Sequence, residues 1–230
     1  MTMATETSEL KAAQVALNGS RLQRAAVGVG ALGRLLRDPD DTKQVFVMGM
    51  VLSSEQFPHF LARFSAAPSG ARLLREQPSI DSHSVDFAAL RALPADTLGG
   101  AYARYLDSNG LDPDLFQTPP GLPEIPAFIS RRLRQVHDIW HVLTGYQPDI
   151  EGEIALQAFT YAQTLMPTGL LIAAIGSLRW AWQSPDLPRR ALDAYTRGRD
   201  ADFLSPIVWE DHWAESLEVL RARHRIRPVA

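Results

Sequence analysis

Cysteine is absent from all 230 residues, which excludes a disulfide framework and every thiolate ligand, so a metal ion bound here would be held by nitrogen and oxygen donors. An intracellular, reducing location fits that absence without being required by it. Charge of one sign is also missing. With 23 basic against 26 acidic residues and a net of -3, nothing in the balance recommends nucleic acid as a partner. Long hydrophobic runs are missing too: the most apolar stretch, Gly169 to Leu178, is closed by Arg179 at about half the ~20 residues that a bilayer-crossing helix needs. The start, Met1 to Leu10, carries Glu6 and Glu9 and has neither the apolar core of a secretory signal nor the acid-free, Arg-rich character of a transit peptide. No signal or transmembrane segment is expected, and residues 1–20 read as a frayed start.

Alternating strand patterns are scarce, and apolar residues recur at helical spacing between Pro and Gly clusters, so the expected class is all-α. A hydrophobic share of 46% supplies a core for one domain spanning residues 1–230, a single-domain multi-helix bundle. Helices are expected over about 9–17, 21–37, 42–53, 58–65, 70–75, 87–93, 97–109, 125–144, 149–166, 168–182, 188–197 and 207–223. No repeat of fixed period is present. The Pro-rich piece Thr118 to Pro126 is too short for an interdomain linker and is expected to position the helix that follows.

Gly28-Val29-Gly30-Ala31-Leu32-Gly33 has the letters of a dinucleotide-binding loop, but that loop must follow a strand and open a helix. Leu22, Ala25, Ala26, Val29, Leu32 and Leu36 keep helical spacing straight through the glycines, which therefore read as a small-residue helix surface for close packing.

The residues that carry chemistry lie between His137 and Glu153. His137 and His141 are one turn apart, about 40° around a helix axis, and can share an ion; Asp138 sits about 100° from the first and 60° from the second and reaches it only from the side. Gly145-Tyr146-Gln147-Pro148 permits a chain reversal, with Gly145 suited to a left-handed helix end and Pro148 to the opening of the next helix. An antiparallel return brings Glu153 near His141, and Glu151, about 200° away on the same helix, would then face elsewhere. The competing account is that the histidines merely line a helix and Asp138 pairs with Arg134. Against it stand Val136 and Trp140, because burying several titratable groups among apolar neighbours costs several kcal/mol unless an ion or internal pairing compensates. Two histidines with one or two carboxylates suit a divalent ion: zinc, iron, manganese or cobalt.

His137-Asp138-x-x-His141-x11-Glu153 resembles the signature of the coenzyme Q (ubiquinone) biosynthesis protein 4 family. Pro68-Ser69-Gly70-Ala71-Arg72-Leu73-Leu74-Arg75-Glu76-Gln77-Pro78 is similar to that family's P-x-G-x-x-L-L-x-E-x-P segment. Leu93-Pro94-Ala95-Asp96-Thr97-Leu98-Gly99-Gly100-Ala101-Tyr102 is similar to its L-P-x-x-T-x-G-x-A-Y segment, and Gly152-Glu153-Ile154 and Trp209-Glu210 fall where the family has them. The likeness runs from about Leu35 to Leu220. It implies an all-helical protein that binds a divalent metal, zinc first, through His137, Asp138, His141 and Glu153. It also implies action on a polyprenylated 4-hydroxybenzoate-type lipid at a membrane surface, removing the C1 carboxyl and hydroxylating that carbon, and the organisation of other quinone-biosynthesis proteins into a complex. Two positions depart from the pattern. Where the family has Q-T-G-L-P this chain reads Gln163-Thr164-Leu165-Met166-Pro167, so a bulky side chain replaces a glycine expected to admit close ligand contact, and Leu133 stands where the family has a tyrosine between two arginines.

Other features carry weaker expectations. Arg131, Arg132 and above all Arg134 are candidates to meet a substrate carboxylate or lipid phosphate, or else form a solvated face. The run Arg221, Arg223, His224, Arg225, Arg227 is a basic tail, suited to anionic headgroups or simply to solvent. The helix from Gly169 to Leu178 is a candidate wall for an isoprenoid slot, with core packing as the plain alternative. His59, His83, His212 and His224 lack spaced partners. Trp180, Trp182, Trp209 and Trp213 read as core anchors. Taken together, the chain reads as a metal-dependent enzyme of ubiquinone-type lipid synthesis, in the cytoplasm of a bacterium and peripheral to its inner membrane, possible as a homodimer. The alternatives are a non-catalytic prenyl-lipid scaffold with the metal as a structural clip and, more weakly, a helical metal-dependent phosphate-ester hydrolase.

Overall fold

The computed structural model describes residues 14–37, 42–115 and 121–229. Their helices are α1 (Arg21–Arg37), α2 (Thr42–Leu52), α3 (Phe57–Ala66), α4 (Pro68–Glu76), α5 (Phe87–Ala92), α6 (Leu98–Asn109), α7 (Glu124–Thr144), α8 (Ile150–Thr164), α9 (Pro167–Trp180), α10 (Leu187–Asp200) and α11 (Leu217–Arg223). The helix expected from Glu9 begins outside the described residues, and residues 14–18 of it are helical. No strand occurs among the described residues, only an isolated antiparallel bridge between Thr97 and Ser216. The fold is all-α.

Local signals explain where the helices start and stop. Asp86, Thr97, Asp149 and Ser216 each turn a side-chain oxygen back onto a backbone N–H of the first turn, satisfying donors that a helix cannot pair internally. Pro occupies the first turn of α3, α4, α9 and α10, where its missing N–H is harmless. The glycine-containing stretch 28–33 lies inside α1, and a Cβ on Gly28 would meet the Leu52 side chain at 3.1 Å, so this glycine does allow α1 and α2 to approach; Gly33 has open space.

One expected helix is broken. Instead of running from Ile207 to Arg223, the chain makes a 3-10 turn at Trp209–His212 and re-enters helix only at Leu217. The cause is tertiary: Trp213 and Glu215 carbonyls accept the N–H groups of Gly99 and Leu98 (2.8 Å each), and the Leu217 N–H donates to Asp96 (2.7 Å). Backbone committed to the start of α6 cannot also close its own i→i−4 ladder.

α8 is the central element, packed against α10 on one side and α9 on the other. The main core joins Trp140 and Val136 of α7 to Phe159 and Leu156 of α8 and to Trp209, all buried, with Trp140 and Phe159 edge to face at 6.0 Å. A second cluster lies where α1, α2 and α9 meet, and a third joins α3 and α4 to α7. Trp182 departs from the expected core role: it is 94% exposed.

Candidate metal centre and its cavity

α7 carries both histidines near its end, and Gly145 terminates it at φ 80°, with its N–H returned to the His141 carbonyl at 2.8 Å. Four residues later Asp149 accepts the Gly152 N–H at 2.7 Å and opens α8. The reversal is tight: a Cβ on Gly152 would lie 2.0 Å from the Gln147 carbonyl oxygen, so only glycine fits. Glu153 thus sits in the first turn of α8, where the helix dipole favours its negative charge.

The return places Glu153 between the histidines. Its Oε2 lies 3.2 Å from His137 Nε2 and its Oε1 3.1 Å from His141 Nε2. Ligand atoms of His137, His141 and Glu153 fall within 4.8 Å of one another, the one such group of three or more among the described residues. Each His–Glu spacing, to a different carboxylate oxygen, is near the roughly 3.3 Å that separates two ligand atoms of an ion held tetrahedrally at about 2.0–2.1 Å. His141 is buried, its ring stacks on Tyr105 at 5.5 Å, and its Nδ1 lies 2.8 Å from the Tyr146 carbonyl oxygen. Both ring nitrogens of His141 therefore face oxygen acceptors. A neutral imidazole donates to only one of them, and the Tyr146 carbonyl can only accept. An Nδ1–H donated to a backbone carbonyl leaves Nε2 as the free lone pair, the arrangement usual for a metal-ligating histidine. The donor set fits the group.

Asp138 is not in that cluster. Burial raises its carboxyl above the ordinary range, the His137 and His141 charges oppose that, and Glu153 adds to it. It stands beside the triad rather than in it, the sideways placement that its 100° step on the helix dictates. For Glu153, partial burial pushes the carboxyl up, but hydrogen bonds and charge from both histidines outweigh it and hold it well below the usual range. Burial raises the Tyr105 phenol, and the Asp138 and Glu153 charges raise it further.

His137 and Glu153 line a cavity of about 1000 Å³ between α1, α2, α3, α7, α8 and α9. Much of its wall is apolar, including Ile129, Leu133, Ile154, Met166, Ile172 and Ile175. Arg134 is in the wall, one turn before the histidines, and Arg24 and Arg179 line it as well. Gly169 and Gly176 of the apolar helix α9 also belong to it, although Cβ atoms there would strike α8, so the same glycines serve packing.

Comparison with known proteins decides the family. The model of the coenzyme Q (ubiquinone) biosynthesis protein Coq4 matches residues 14–230. The chain belongs to the Coq4 family. It is 34% identical over 206 residues to the mitochondrial ubiquinone biosynthesis protein coq4 of Sclerotinia sclerotiorum, covering 87% of this chain and 72% of that one. It is 32% identical to the mitochondrial COQ4 homolog of Bos taurus, over 88% of this chain and 77% of the other. Its fold is shared with the crystal structure of a Nostoc punctiforme protein named for ubiquinone biosynthesis, at a TM-score of 0.71 and 23% identity over 87% of this chain and 97% of that one.

Against the Coq4 pattern, the structure corrects three expectations. Leu165, at the family's glycine, does not line the cavity; it is the left-handed end of α8 at φ 56° and is about half exposed. A left-handed helix end is a conformation that glycine adopts without strain, and Thr164 and Met166 on either side line the cavity. Arg132 is no substrate group: its side chain is 0% exposed and grips Glu210 through two bonds of 2.6 and 2.7 Å, with a third to the Ile207 carbonyl at 3.2 Å. The Trp209-Glu210 segment is thereby tied to α7. The basic tail is folded onto the body: Arg223 pairs with Glu215, Arg225 with Asp202, Arg227 with Asp200, and Arg221 bonds backbone carbonyls of α7. Glu151 turns outward to Ser184 and Arg190. Arg131 reaches toward the Gln77 carbonyl and the Phe128 ring. Sequence reasoning missed Tyr105 and the Tyr146 carbonyl, neither of which has a spacing signal that links it to the histidines, and placed Arg221 in a basic tail instead of at the end of α7.

Proposed function

We propose that this Coq4 family member binds a divalent ion, zinc first with iron, manganese or cobalt as alternatives, at His137, His141 and Glu153, with Asp138 as a flanking carboxylate. In this reading it acts in ubiquinone biosynthesis on a polyprenylated 4-hydroxybenzoate-type intermediate. The observation that carries the reading is the placement of His137 and Glu153 in the wall of the large apolar cavity. A purely structural metal clip has no need to face ligand space, whereas a catalytic ion keeps a position open to substrate.

In the proposed reaction the C1–carboxyl bond breaks with release of carbon dioxide and a hydroxyl takes its place; dioxygen supplies that oxygen, and its second atom leaves as water with two protons and two electrons from a reductant. A bound ion would act as a Lewis acid for the carboxylate or phenolic oxygens. The chain's own residues do the rest. Tyr146 fixes the His141 tautomer, Tyr105 holds its ring, and Arg134 meets the substrate carboxylate at the cavity wall. Ile129, Leu133, Ile172 and Ile175 take the isoprenoid tail and keep water from the reacting carbon.

Among the described residues no helix is long and apolar enough to cross a membrane. α1 and α9, which contribute cavity wall, also expose Leu22, Val29, Leu170 and Leu178, and Trp182 follows α9. Exposed apolar groups beside basic Arg24 and Arg179 support peripheral contact with a membrane from which a lipid enters. The same surface supports the second reading, a lipid-presenting scaffold for other quinone-biosynthesis proteins.

The test is metal analysis of the purified protein and of His141→Ala, with turnover of a 3-prenylated 4-hydroxybenzoate by both. The reading expects metal and turnover only in the parent. Equal turnover in the two proteins ends the metal-enzyme reading, and lipid binding without turnover in either favours the scaffold.

A further inference from the structure

We infer that the segment from Arg221 to Val229 is a clamp that positions the His141 imidazole. Its purpose rests on the metal reading above; its geometry does not. The last carbonyls of a helix have no partner within it, and at the end of α7 those of Val142, Leu143 and Thr144 are all taken by this one segment. Arg221 Nε donates to the Leu143 carbonyl at 2.8 Å and Nη2 to that of Val142 at 3.0 Å. The Val229 N–H donates to the Thr144 carbonyl at 2.8 Å. A guanidinium at this end also complements the helix dipole.

The clamp is itself anchored. Ile226 is buried, and its N–H returns to the Arg221 carbonyl at 2.8 Å across a turn in which Arg225 adopts φ 54°. Arg197 of α10 holds the far end by donating to the Arg227 and Pro228 carbonyls at 3.0 and 2.8 Å. Val229 then lies against Gly145, where an added Cβ would meet its Cγ2 and its carbonyl oxygen at 3.3 Å each.

The next residue in the chain after Gly145 is Tyr146, whose carbonyl takes the Nδ1–H of His141. That carbonyl is therefore fixed from two directions: Gly145 returns its N–H to His141, and the Thr144 carbonyl is tied to Val229. Without those ties the last turn of α7 is an ordinary fraying helix end. The Tyr146 carbonyl would drift, and His141 Nε2 would lose its aim at Glu153. Neither Arg221 nor Val229 lines the cavity, so both are positioning residues, acting through Tyr146 and His141.

The test uses the full chain, a chain ending at Ile226, Val229→Pro, Arg221→Leu and Arg221→Lys. Cobalt(II) is the probe, read by its affinity and its visible d–d spectrum. The imidazole 15N shifts of His141 in metal-free protein report its tautomer. The shortened chain, Val229→Pro and Arg221→Leu are expected to bind cobalt(II) about tenfold or more weakly, with an altered spectrum and loss of the single Nδ1–H tautomer at His141. His83, remote from α7's end, keeps its shifts, and Arg221→Lys recovers part of the affinity. Folded variants with parental cobalt affinity and an intact His141 tautomer overturn the clamp. If the parent chain binds no cobalt(II), the metal reading falls, and the tautomer alone decides: its loss in the variants supports the clamp and its persistence overturns it. If Arg221→Leu fails to fold, Val229→Pro, which removes the N–H donated to the Thr144 carbonyl and leaves Arg221 in place, carries the decision.

Discussion

The Arg132–Glu210 pair gives a prediction whose size follows from its burial. Arg132 exposes none of its side chain and Glu210 only 18%, and the two make a two-pronged contact at 2.6 and 2.7 Å. Removing one partner of such a pair leaves a charge in a low-dielectric site with no way to rehydrate, at about 3–5 kcal/mol. Glu210→Leu is therefore expected to cost about 4 kcal/mol, since the Ile207 carbonyl still accepts from the stranded guanidinium. Unfolding entropy near 2.1 cal/mol/K per residue makes that a fall of roughly 8 °C in the melting temperature of a chain this long. The double variant Arg132→Met, Glu210→Leu replaces the ion pair by apolar groups of similar size and should recover most of the loss, ending within about 1–2 kcal/mol of the parent. The assay is urea unfolding of the four proteins of the cycle at low and high salt. Screening reaches a buried pair weakly, so the coupling should persist at high salt. A loss below about 1 kcal/mol for Glu210→Leu, or a coupling that vanishes in salt, would refute the claim that Arg132 is a structural charge.

Three further outcomes are expected. At Leu165, held at φ 56°, Gly should be more stable than Ala by about 1 kcal/mol in chemical denaturation, because both lose the same leucine contacts and only Ala keeps the left-handed penalty; Ala equal to or above Gly would contradict the helix-end role. Hydrogen bonds from Arg223 and His212 hold the Glu215 carboxyl down at about 2. Its folded value lies below its unfolded one, so the stabilisation is present above about pH 4.5 and is lost as pH falls toward 2; solvent at this surface site limits it to about 1 kcal/mol. Glu215→Gln should flatten the stability profile over that window, and an unchanged slope would count against the pairing. Glu153→Gln should remove metal binding measured by titration, whereas Asp138→Asn, outside the triad, should weaken it by about 10–100-fold; equal loss in both would make Asp138 a direct ligand.

Periodicity and punctuation alone led to the helical class, to the helix-reversal-helix around Gly145 and Asp149, and to the choice of Glu153 over Glu151, because those depend on angles of 100° per residue and on residues that start and stop helices within a few positions of one another. His137 and His141 needed no tertiary information to be paired. Arg132 shows where local reading ends. Three arginines in four positions look like a wet face, and only the arrival of Glu210 from the far end of the chain makes one of them a core residue. Leu165 shows the same limit in backbone terms: a missing glycine looks like lost ligand space until its φ is known.

What the order of residues determined by itself was the chemistry available here, two imidazoles and a carboxylate on adjoining helices, since neighbours in sequence are bound to be neighbours in space. Tertiary structure alone decided what that chemistry faces. The cavity wall draws on residues from Ala16 to Trp180, the break at Trp213–Ser216 exists to serve α6, and the end of α7 is held by a segment nearly 80 residues downstream. Contacts of that sequence separation leave no periodic trace, because each depends on two distant surfaces meeting and not on the angle between successive side chains.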